Sequence, residues 1–351
     1  MGKLNCVDII RDTYTVETLL GRGAFGDVYL VRHRYMGMQA MKILDRIDNP
    51  GDKESGLNEA FLLSRIAHPN VVRVFEANHI LDSSDSPLYV TMEYVNGDTL
   101  REVIDEGDGK TPINICLKYI RQAASGLSHA HSMEPVIVHR DIRPQNLLVR
   151  RDLAGESVLV GDFGLASSVN FSLGILPAAG AIPYESPEGL DGYEGPRSDV
   201  FSLGICFYEL LTGVFPFKIT TEDVNSYEGR LSKLLSEAHE KGCPPVTYFR
   251  SAIPPEVEAV VTMMLEVDQQ KRFPNGGAVE DVLRRCENCS NAHQGSSNSS
   301  CTDSSSVIVN MLRSAFRYKY IDNDHGVANE VFMKIENLSS EFKGRFSSFI
   351  D

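Results

Sequence analysis

The sequence lacks several features that mark large classes of protein. It has no run of 18 or more apolar residues, and its first residues lack the basic and apolar regions of a signal peptide. We therefore expect a soluble, cytoplasmic protein with no transmembrane segment. Lysine and arginine form no cluster, and the formal net charge is −14, which argues against a nucleic-acid partner.

The cysteines also lack the spacing of a disulfide framework. All seven are scattered, at positions 6, 116, 206, 243, 286, 289 and 301, which fits a reducing compartment. What the chain does have is 351 residues with 42% hydrophobic content. That is enough to bury a sizeable core, as one two-lobed unit or as two domains.

The first 95 or so residues have the pattern of a small β-sheet with one helix. Runs rich in Val, Leu, Tyr and Thr between Tyr14 and about Ile47 predict antiparallel strands. An amphipathic segment at 57–66 predicts a helix that ends at a His-Pro-Asn breaker. Two further strands are predicted at 71–78 and 88–94.

Beyond Asn96 the apolar spacing lengthens to that of helices. The residues that share one helical face are Ile113, Cys116, Leu117, Ile120, Ala124, Leu127 and Ala130. After Cys286 the pattern gives way to a Ser-rich linker, predicted at 287–306, and then to two amphipathic helices within 307–351. Such helices need a surface to cover their apolar faces, so we expect the tail to dimerise or dock on a partner.

Three short motifs occur in a fixed order. GRGAFGDV spans 21–28, VHRDIRPQN spans 138–146 and GDFG spans 161–164. Phosphoryl transfer requires backbone hydrogen-bond donors for the phosphates, a cation, oxygens that hold metal and an acceptor for the hydroxyl proton. These motifs supply each of them. Together they resemble the signature of the eukaryotic-type (Hanks-type) protein kinases.

The resemblance covers about residues 14–286, leaving 1–13 as an N-terminal extension. SPE at 186–188 resembles the family's APE, DVFSLG at 199–204 resembles its DVWSLG, and Arg272 stands where the family pairs an arginine with Glu188. The implied fold is α+β and bilobal, with a small antiparallel β lobe carrying one helix, a larger helical lobe and here a C-terminal helical extension.

For the nucleotide, the resemblance implies ATP in the cleft between the lobes. Gly21, Gly23 and Gly26 would bring backbone N–H groups to the phosphates. Lys42 would contact the α and β phosphates and pair with a helix glutamate, which by its spacing is Glu59.

The base is expected to pair with a hinge segment. Met92 resembles the residue that guards a back pocket, and Glu93 to Val95 resemble the hinge. The residues that would sandwich adenine are Leu20, Val28, Ala40 and Leu148. A column of core residues would comprise Leu63, Val74, His139 and Phe163, which ordinary packing explains equally well.

For the chemistry, Asp141 would accept or orient the proton of the substrate hydroxyl. Asn146 would hold one Mg²⁺, or Mn²⁺, and Asp162 would bridge the other to the phosphates, since amide and carboxylate oxygens are hard ligands. Arg140 could pair with a phosphate on one of the loop serines, Ser167, Ser168 or Ser172, although an unmodified loop is as consistent with the sequence.

Two positions depart from the family pattern. Arg143 replaces the lysine that usually follows the catalytic aspartate by two residues, and Ala181 replaces a loop threonine that helps position the substrate peptide. Arg143 keeps the cation beside Pro144, which favours Ser/Thr over Tyr specificity, but a guanidinium is not equivalent to an ammonium.

The function predicted from these residues is transfer of the ATP γ-phosphoryl group to Ser/Thr hydroxyls of protein substrates, with autophosphorylation. One alternative is a pseudokinase that binds nucleotide and acts as a scaffold. A second alternative is a kinase-like enzyme with a small-molecule substrate, which the SPE and DVFSLG segments disfavour because in the family they support peptide docking.

Overall fold

The computed structural model describes residues 4, 6–23, 26–44, 57, 62–81, 86–153, 155–163, 182–217 and 231–292. The chain divides into two compact units, Met1–Gly97 with Leu148–Gly180, and Asp98–Leu147 with Ala181–Asp351. The first is built on an antiparallel sheet and the second is mainly helical, which confirms the predicted α+β, bilobal class.

A six-stranded antiparallel sheet forms the body of the first unit, in the order β1-β2-β3-β4-β6-β5. Its strands are β1 (Ile9–Ile10), β2 (Tyr14–Gly23), β3 (Gly26–His33), β4 (Gly37–Leu44), β5 (Val74–His79) and β6 (Leu88–Glu93). The predicted strands are confirmed. Leu57 and residues 62–64 are helical, within the predicted 57–66 helix.

The two faces of this sheet have different roles because side chains alternate along a strand. Met41 and Ile43 of β4 belong to a buried cluster that also contains Tyr14, Val31 and Tyr89. The intervening residues Ala40 and Lys42 therefore lie on the opposite face. The strand register places Val28 across from Lys42, and Met92 across from Ala40, so these four residues share that face.

Three more strands follow in the chain: β7 (Gly97–Thr99), β8 (Leu147–Asp152) and β9 (Gly155–Val160). β8 and β9 are neighbours in a second, smaller sheet. The end of β9 is tied to the first unit, because the Val72 N–H donates to the Val160 carbonyl and the Val160 N–H donates to that of Asn70. This places Gly161, Asp162 and Phe163 directly after an anchored strand.

The helices of the second unit are α1 (Leu100–Gly107), α2 (Ile113–His131), α3 (Pro187–Leu190), α4 (Pro196–Thr212), α5 (Leu231–Lys241), α6 (Val246–Phe249), α7 (Pro255–Met264) and α8 (Gly276–Ala292). α2 packs against α4 and α8, and its predicted apolar face is buried except at Ile113. A Cβ at Gly276 would lie 2.6 Å from the Ala124 carbonyl oxygen, so only glycine permits this approach of α8 to α2.

The last described helix continues past Cys286 to Ala292, so the first residues of the predicted linker are helical. Glu287 there pairs with Arg121 of α2, at 2.8 Å. The rest of the predicted linker and the whole tail at 307–351 lie outside the described residues. Across the described part of the chain, no helix combines the length and apolar character needed to cross a membrane.

Candidate active site

Lys42 and Asp162 form the polar centre of the first unit. The Lys42 ammonium is buried on the face of β4 opposite the Met41 cluster and donates to Asp162 Oδ1 at 2.5 Å. Asp162 has a φ of 59°, in the left-handed region that non-glycine residues rarely occupy, directly after β9. A buried cation requires a carboxylate or phosphate partner. The sequence prediction that both residues serve one site is consistent with this contact.

The glycine-rich segment forms the hairpin between β2 and β3, in which Gly21 faces Val28 and Gly23 faces Gly26. Gly26 has a φ of 147°, and a Cβ there would lie 1.7 Å from the Ile43 carbonyl oxygen. No residue with a side chain fits at Gly26 without moving β4. A Cβ at Gly21 would meet nothing within 4 Å, so that position is open space above the backbone.

Two of the predicted base-binding residues, Val28 and Ala40, lie on the same face as Lys42. Val28 and Ala40 lie beside Lys42 in the register given above, Leu20 is 44% exposed at the end of β2, and Leu148 begins the first unit's second segment. Glu93 ends β6, and its carboxylate pairs with the Arg150 guanidinium of β8. That ion pair joins β6 to β8. Val95 lies just beyond, outside any strand.

A small pocket lies behind this face. Its lining residues are Leu63, Ile66, Val71, Val72, Val74, Met92, Asp162 and Phe163. Met92 borders this pocket, and its role beside a bound nucleotide stays a prediction. Leu63, Val74 and Phe163 of the predicted column are gathered there, whereas His139 is buried within the second unit.

Asp141 and Asn146 are hydrogen-bonded to each other in the second unit. Asn146 Nδ2 donates to both the backbone oxygen and Oδ2 of Asp141, at 2.8 and 2.9 Å. Asn146 closes the 3-10 turn Pro144–Asn146, and its N–H donates to the Arg143 carbonyl. The amide nitrogen is engaged, which leaves the amide oxygen to hold a cation.

Asp199 fixes the backbone that leads into Asp141. This buried carboxylate accepts the His139 and Arg140 N–H groups at 2.7 and 2.9 Å, and His131 Nε2 at 2.9 Å. His131 Nδ1 accepts the Gly276 N–H, which assigns the proton to Nε2. Burial alone would raise the pKa of Asp199, but the hydrogen bonds from His131 and the His139 N–H outweigh it and hold that pKa below its usual value.

Arg143, the residue that departs from the family pattern, is held in place by a near neighbour. Its Nε donates to Gln145 Oε1 at 3.1 Å. Arg143 is extended, with φ −155° and ψ 159°, immediately before the 3-10 turn. The guanidinium is therefore oriented by the same short turn that presents Asn146.

Two further carboxyl groups lie near Asp141 in the second unit. Glu185 is partly buried, with Oε1 so close to the backbone that a Cβ at Gly189 would lie 2.0 Å away. Burial, with repulsion from Glu194 and Asp141, raises the pKa of Glu185 to about 8. Burial also raises the pKa of Glu194 to about 7, opposed by Arg140 and reinforced by Asp199 and Asp141.

Glu185 should make stability fall as pH rises. Its folded pKa of about 8 exceeds the usual 4.5, so between these values the folded protein binds more protons than the unfolded chain, and the free energy of unfolding decreases with pH. Glu185→Gln should remove this pH dependence. Relative to wild type, the free energy of unfolding of the variant should then be higher at pH 8 than at pH 5 by at least about 1 kcal/mol. Urea unfolding at both pH values measures it. Glu240→Gln, at an exposed glutamate of α5, is the control, and an equal response of both variants would contradict the assignment.

The predicted pairing of Glu188 with Arg272 is present and bidentate. Arg272 Nη1 and Nη2 reach the two carboxylate oxygens at 2.7 and 2.8 Å, and Ser198 Oγ donates to the same group. The Arg272 guanidinium, with a fully buried side chain, also lies 4.6 Å from the ring centre of Phe201. Burial would raise the pKa of Glu188, but Arg272 reverses this and lowers it.

Arg272→Lys should therefore cost about 3 kcal/mol of unfolding free energy, since an ammonium cannot make the bidentate contact and leaves buried acceptors unpaired. Chemical denaturation measures the loss. Arg284→Lys is the matched control, because Arg284 is 55% exposed and bonds Glu280, and it should change stability by under about 0.5 kcal/mol. Equal losses in the two variants would show that the buried geometry adds nothing.

Some of this arrangement is not visible in the motifs alone. Asp199 lies within DVFSLG, and an aspartate directly before a largely apolar helical run was the available signal for a buried anchor. Glu194, Glu185 and Gln145 carried no signal, since their roles arise from tertiary contacts. Glu59 and Ala181 lie outside the described residues, so the Lys42–Glu59 pair stays a prediction.

Comparisons with known proteins agree with this geometry. The family model described as protein kinase domain matches residues 14–283. Serine/threonine-protein kinase A of Synechocystis sp. is 34% identical over 266 residues, which are 72% of this chain and 49% of that protein. Serine/threonine-protein kinase PknB of Mycobacterium leprae is 28% identical over 284 residues, 78% of this chain and 43% of that protein.

Solved structures show the same fold. A double mutant of the PknI kinase domain of Mycobacterium tuberculosis aligns with a TM-score of 0.61 at 22% identity, covering 82% of this chain and all of that one. The chain belongs to the protein kinase family. It spans about half the length, or less, of the curated relatives it matches.

Proposed function

We propose that this chain is a protein serine/threonine kinase that uses ATP and a divalent cation, Mg²⁺ or Mn²⁺. The observation that carries the proposal is the pair of polar contacts, Lys42 with Asp162 in the first unit and Asn146 with Asp141 in the second. The proposal is supported because the four residues in these contacts are ones to which the family resemblance gives roles in phosphoryl transfer.

In the proposed reaction, Asp141 orients the substrate hydroxyl and takes its proton as the oxygen bonds to the γ-phosphorus and the bond to ADP breaks. Lys42 stabilises phosphate charge, and the N–H groups of the glycine hairpin add backbone donors. Asn146 would hold one cation and Asp162 another, and these cations when bound would neutralise charge on the phosphates.

The donor set fits a cation that arrives with the nucleotide. Over the described residues, no group of three or more His, Cys, Asp or Glu side chains could hold a metal alone. Mg²⁺ usually takes one or two protein carboxylates and completes its shell with phosphate oxygens and water. Each ion would then take one side chain from the protein, Asp162 or Asn146, and its remaining ligands from the phosphates and water.

The direct test is phosphoryl transfer by the full chain. Purified protein is incubated with γ-labelled ATP, Mg²⁺ and a generic basic protein, and labelled residues in both proteins are mapped. Label on serine and threonine, abolished by a chelator, is expected. Label confined to tyrosine or to a small molecule, or none at all, would contradict the proposal.

Arg143→Lys should leave activity within about tenfold, a barrier change of ~1.4 kcal/mol, because the cation is kept while its bond to Gln145 is lost. Steady-state kinetics with the same substrate measure it, with Arg151→Lys at a half-exposed arginine as control. A larger loss in the first variant alone would assign Arg143 a dedicated role.

A pseudokinase scaffold is the second candidate, favoured by Arg143 in place of lysine. The two proposals differ in one measurement, since a scaffold binds nucleotide but transfers no label. Tail-mediated dimerisation or docking stays a prediction, as do the boundaries of the extension, linker and tail and the cytoplasmic location.

A further inference from the structure

Arg140, the residue before Asp141, has a carboxylate partner within its own unit. Its Nε lies 3.3 Å from Glu194 Oε2, with side chains 37% and 24% exposed. A loop phosphate is the partner that sequence reasoning offered for this guanidinium. The loop serines lie outside the described residues, and among the described residues the guanidinium contacts Glu194, from the short connection between α3 and α4.

The backbone at Arg140 makes this contact consequential. Its φ is 68°, a left-handed conformation that is unfavourable for a residue with a side chain and needs support from its surroundings. Asp199 supports the backbone through the Arg140 N–H. Glu194 restrains the Arg140 side chain. Because Arg140 directly precedes Asp141, a change in the position of its side chain would also affect the position of Asp141.

The negative charges around Glu194 also make the ion pair with Arg140 necessary for Glu194 to stay ionised. Asp141, Asp199 and Glu185 all add negative charge near this carboxylate, and Arg140 opposes them. Arg140 therefore stabilises the ionised form of Glu194, and protonation of Glu194 would break the ion pair with Arg140. The guanidinium in turn offsets repulsion between these carboxylates and Asp141.

We propose that Glu194 is a positioning residue that acts through Arg140 on Asp141, and that it supplies internally the negative charge that a loop phosphate would otherwise bring. The inference rests on the proposed kinase function. Its consequence is regulatory: the chain should transfer phosphate without prior phosphorylation of the loop serines Ser167, Ser168 and Ser172.

The experiment compares Glu194→Gln, Glu194→Asp and the control Asp191→Asn, which removes a charge from an exposed position in the same connection. All are full-length and phosphatase-treated. Glu194→Gln should lose about tenfold in kcat with KM for ATP unchanged, because positioning of the catalytic group is lost. Glu194→Asp should recover most of that loss, and Asp191→Asn should match wild type.

Two readouts separate positioning from a structural role. Wild-type kcat should fall as pH drops through about 7, where Glu194 takes up a proton, and the Glu194→Gln variant should lack that step. In an Arg140→Ala background, Glu194→Gln should have no further effect. Thermal unfolding confirms that each variant is folded.

The outcomes are distinguishable. An inactive wild type overturns the proposed function itself. A phosphatase-treated wild type that is inactive until it is rephosphorylated, or a Glu194→Gln variant as active as wild type, overturns this inference and leaves the kinase function standing. Additive losses in the double variant would also overturn it, since Glu194 would then act independently of Arg140.

Discussion

Asp162→Asn is expected to reduce phosphoryl transfer by about 10³-fold or more, because it removes the negative charge that would hold a cation and that balances the Lys42 ammonium. The amide keeps the size of the carboxylate and can still accept a hydrogen bond from the ammonium. The loss should therefore come from charge rather than from shape, and it should be largest at low Mg²⁺ concentration. Single-turnover label transfer across a Mg²⁺ titration measures it.

The control for this variant is Asp152→Asn, at an exposed aspartate that ends β8 in the same unit. Its activity and Mg²⁺ dependence should match wild type. If Asp162→Asn retained more than about a tenth of wild-type activity, metal holding at this carboxylate would be contradicted. Thermal unfolding of both variants should show that the strands on either side remain intact.

Asp141→Asn is expected to lower kcat by roughly 10²–10⁴-fold, since the amide cannot take up the proton of the substrate hydroxyl. The local fold should survive, because Asn146 can still donate to the backbone oxygen of residue 141 and to its side-chain oxygen. Steady-state kinetics with a protein substrate give kcat, and ATP affinity should be unchanged.

The nucleotide affinity of Asp141→Asn serves as its internal control. A fall in kcat with unchanged affinity assigns the residue to chemistry, whereas a parallel loss of both would indicate damage to the catalytic segment. Near wild-type kcat would exclude Asp141 as proton acceptor and would leave positioning alone to account for the rate.

Much of the fold was predictable because its patterns are local. Strand-like runs predicted β5 and β6, and the 3.6-residue spacing predicted α2, since that spacing follows from burying one face of a helix. The motifs gave the residue types of the site, because glycine, lysine and carboxylate are chemically obligatory there. Lys42 and Asp162 are far apart in sequence, and the family resemblance, rather than spacing, brought them together.

What the sequence could not give is how neighbouring groups alter each residue. Glu194 and Glu185 are ordinary surface residue types, and only burial near Asp141 makes their pKa values unusual. The end of α8 was also beyond local reasoning, because the Ser-rich composition that follows Cys286 conceals a helix whose Glu287 is fixed by Arg121. Tertiary contacts decided each of these cases.

The clamp that the Asp199 carboxylate forms on the His139 and Arg140 N–H groups has a consequence for local unfolding. Asp199 belongs to α4, where every residue from Ser198 to Thr212 is buried. Its carboxylate accepts the N–H groups of two successive residues that directly precede Asp141. Those amides cannot exchange their hydrogens with solvent unless the clamp breaks. Local opening of this segment should then approach the free energy of unfolding the whole helical unit. A loop that carries chemistry would thus belong to the slowest-exchanging part of the molecule.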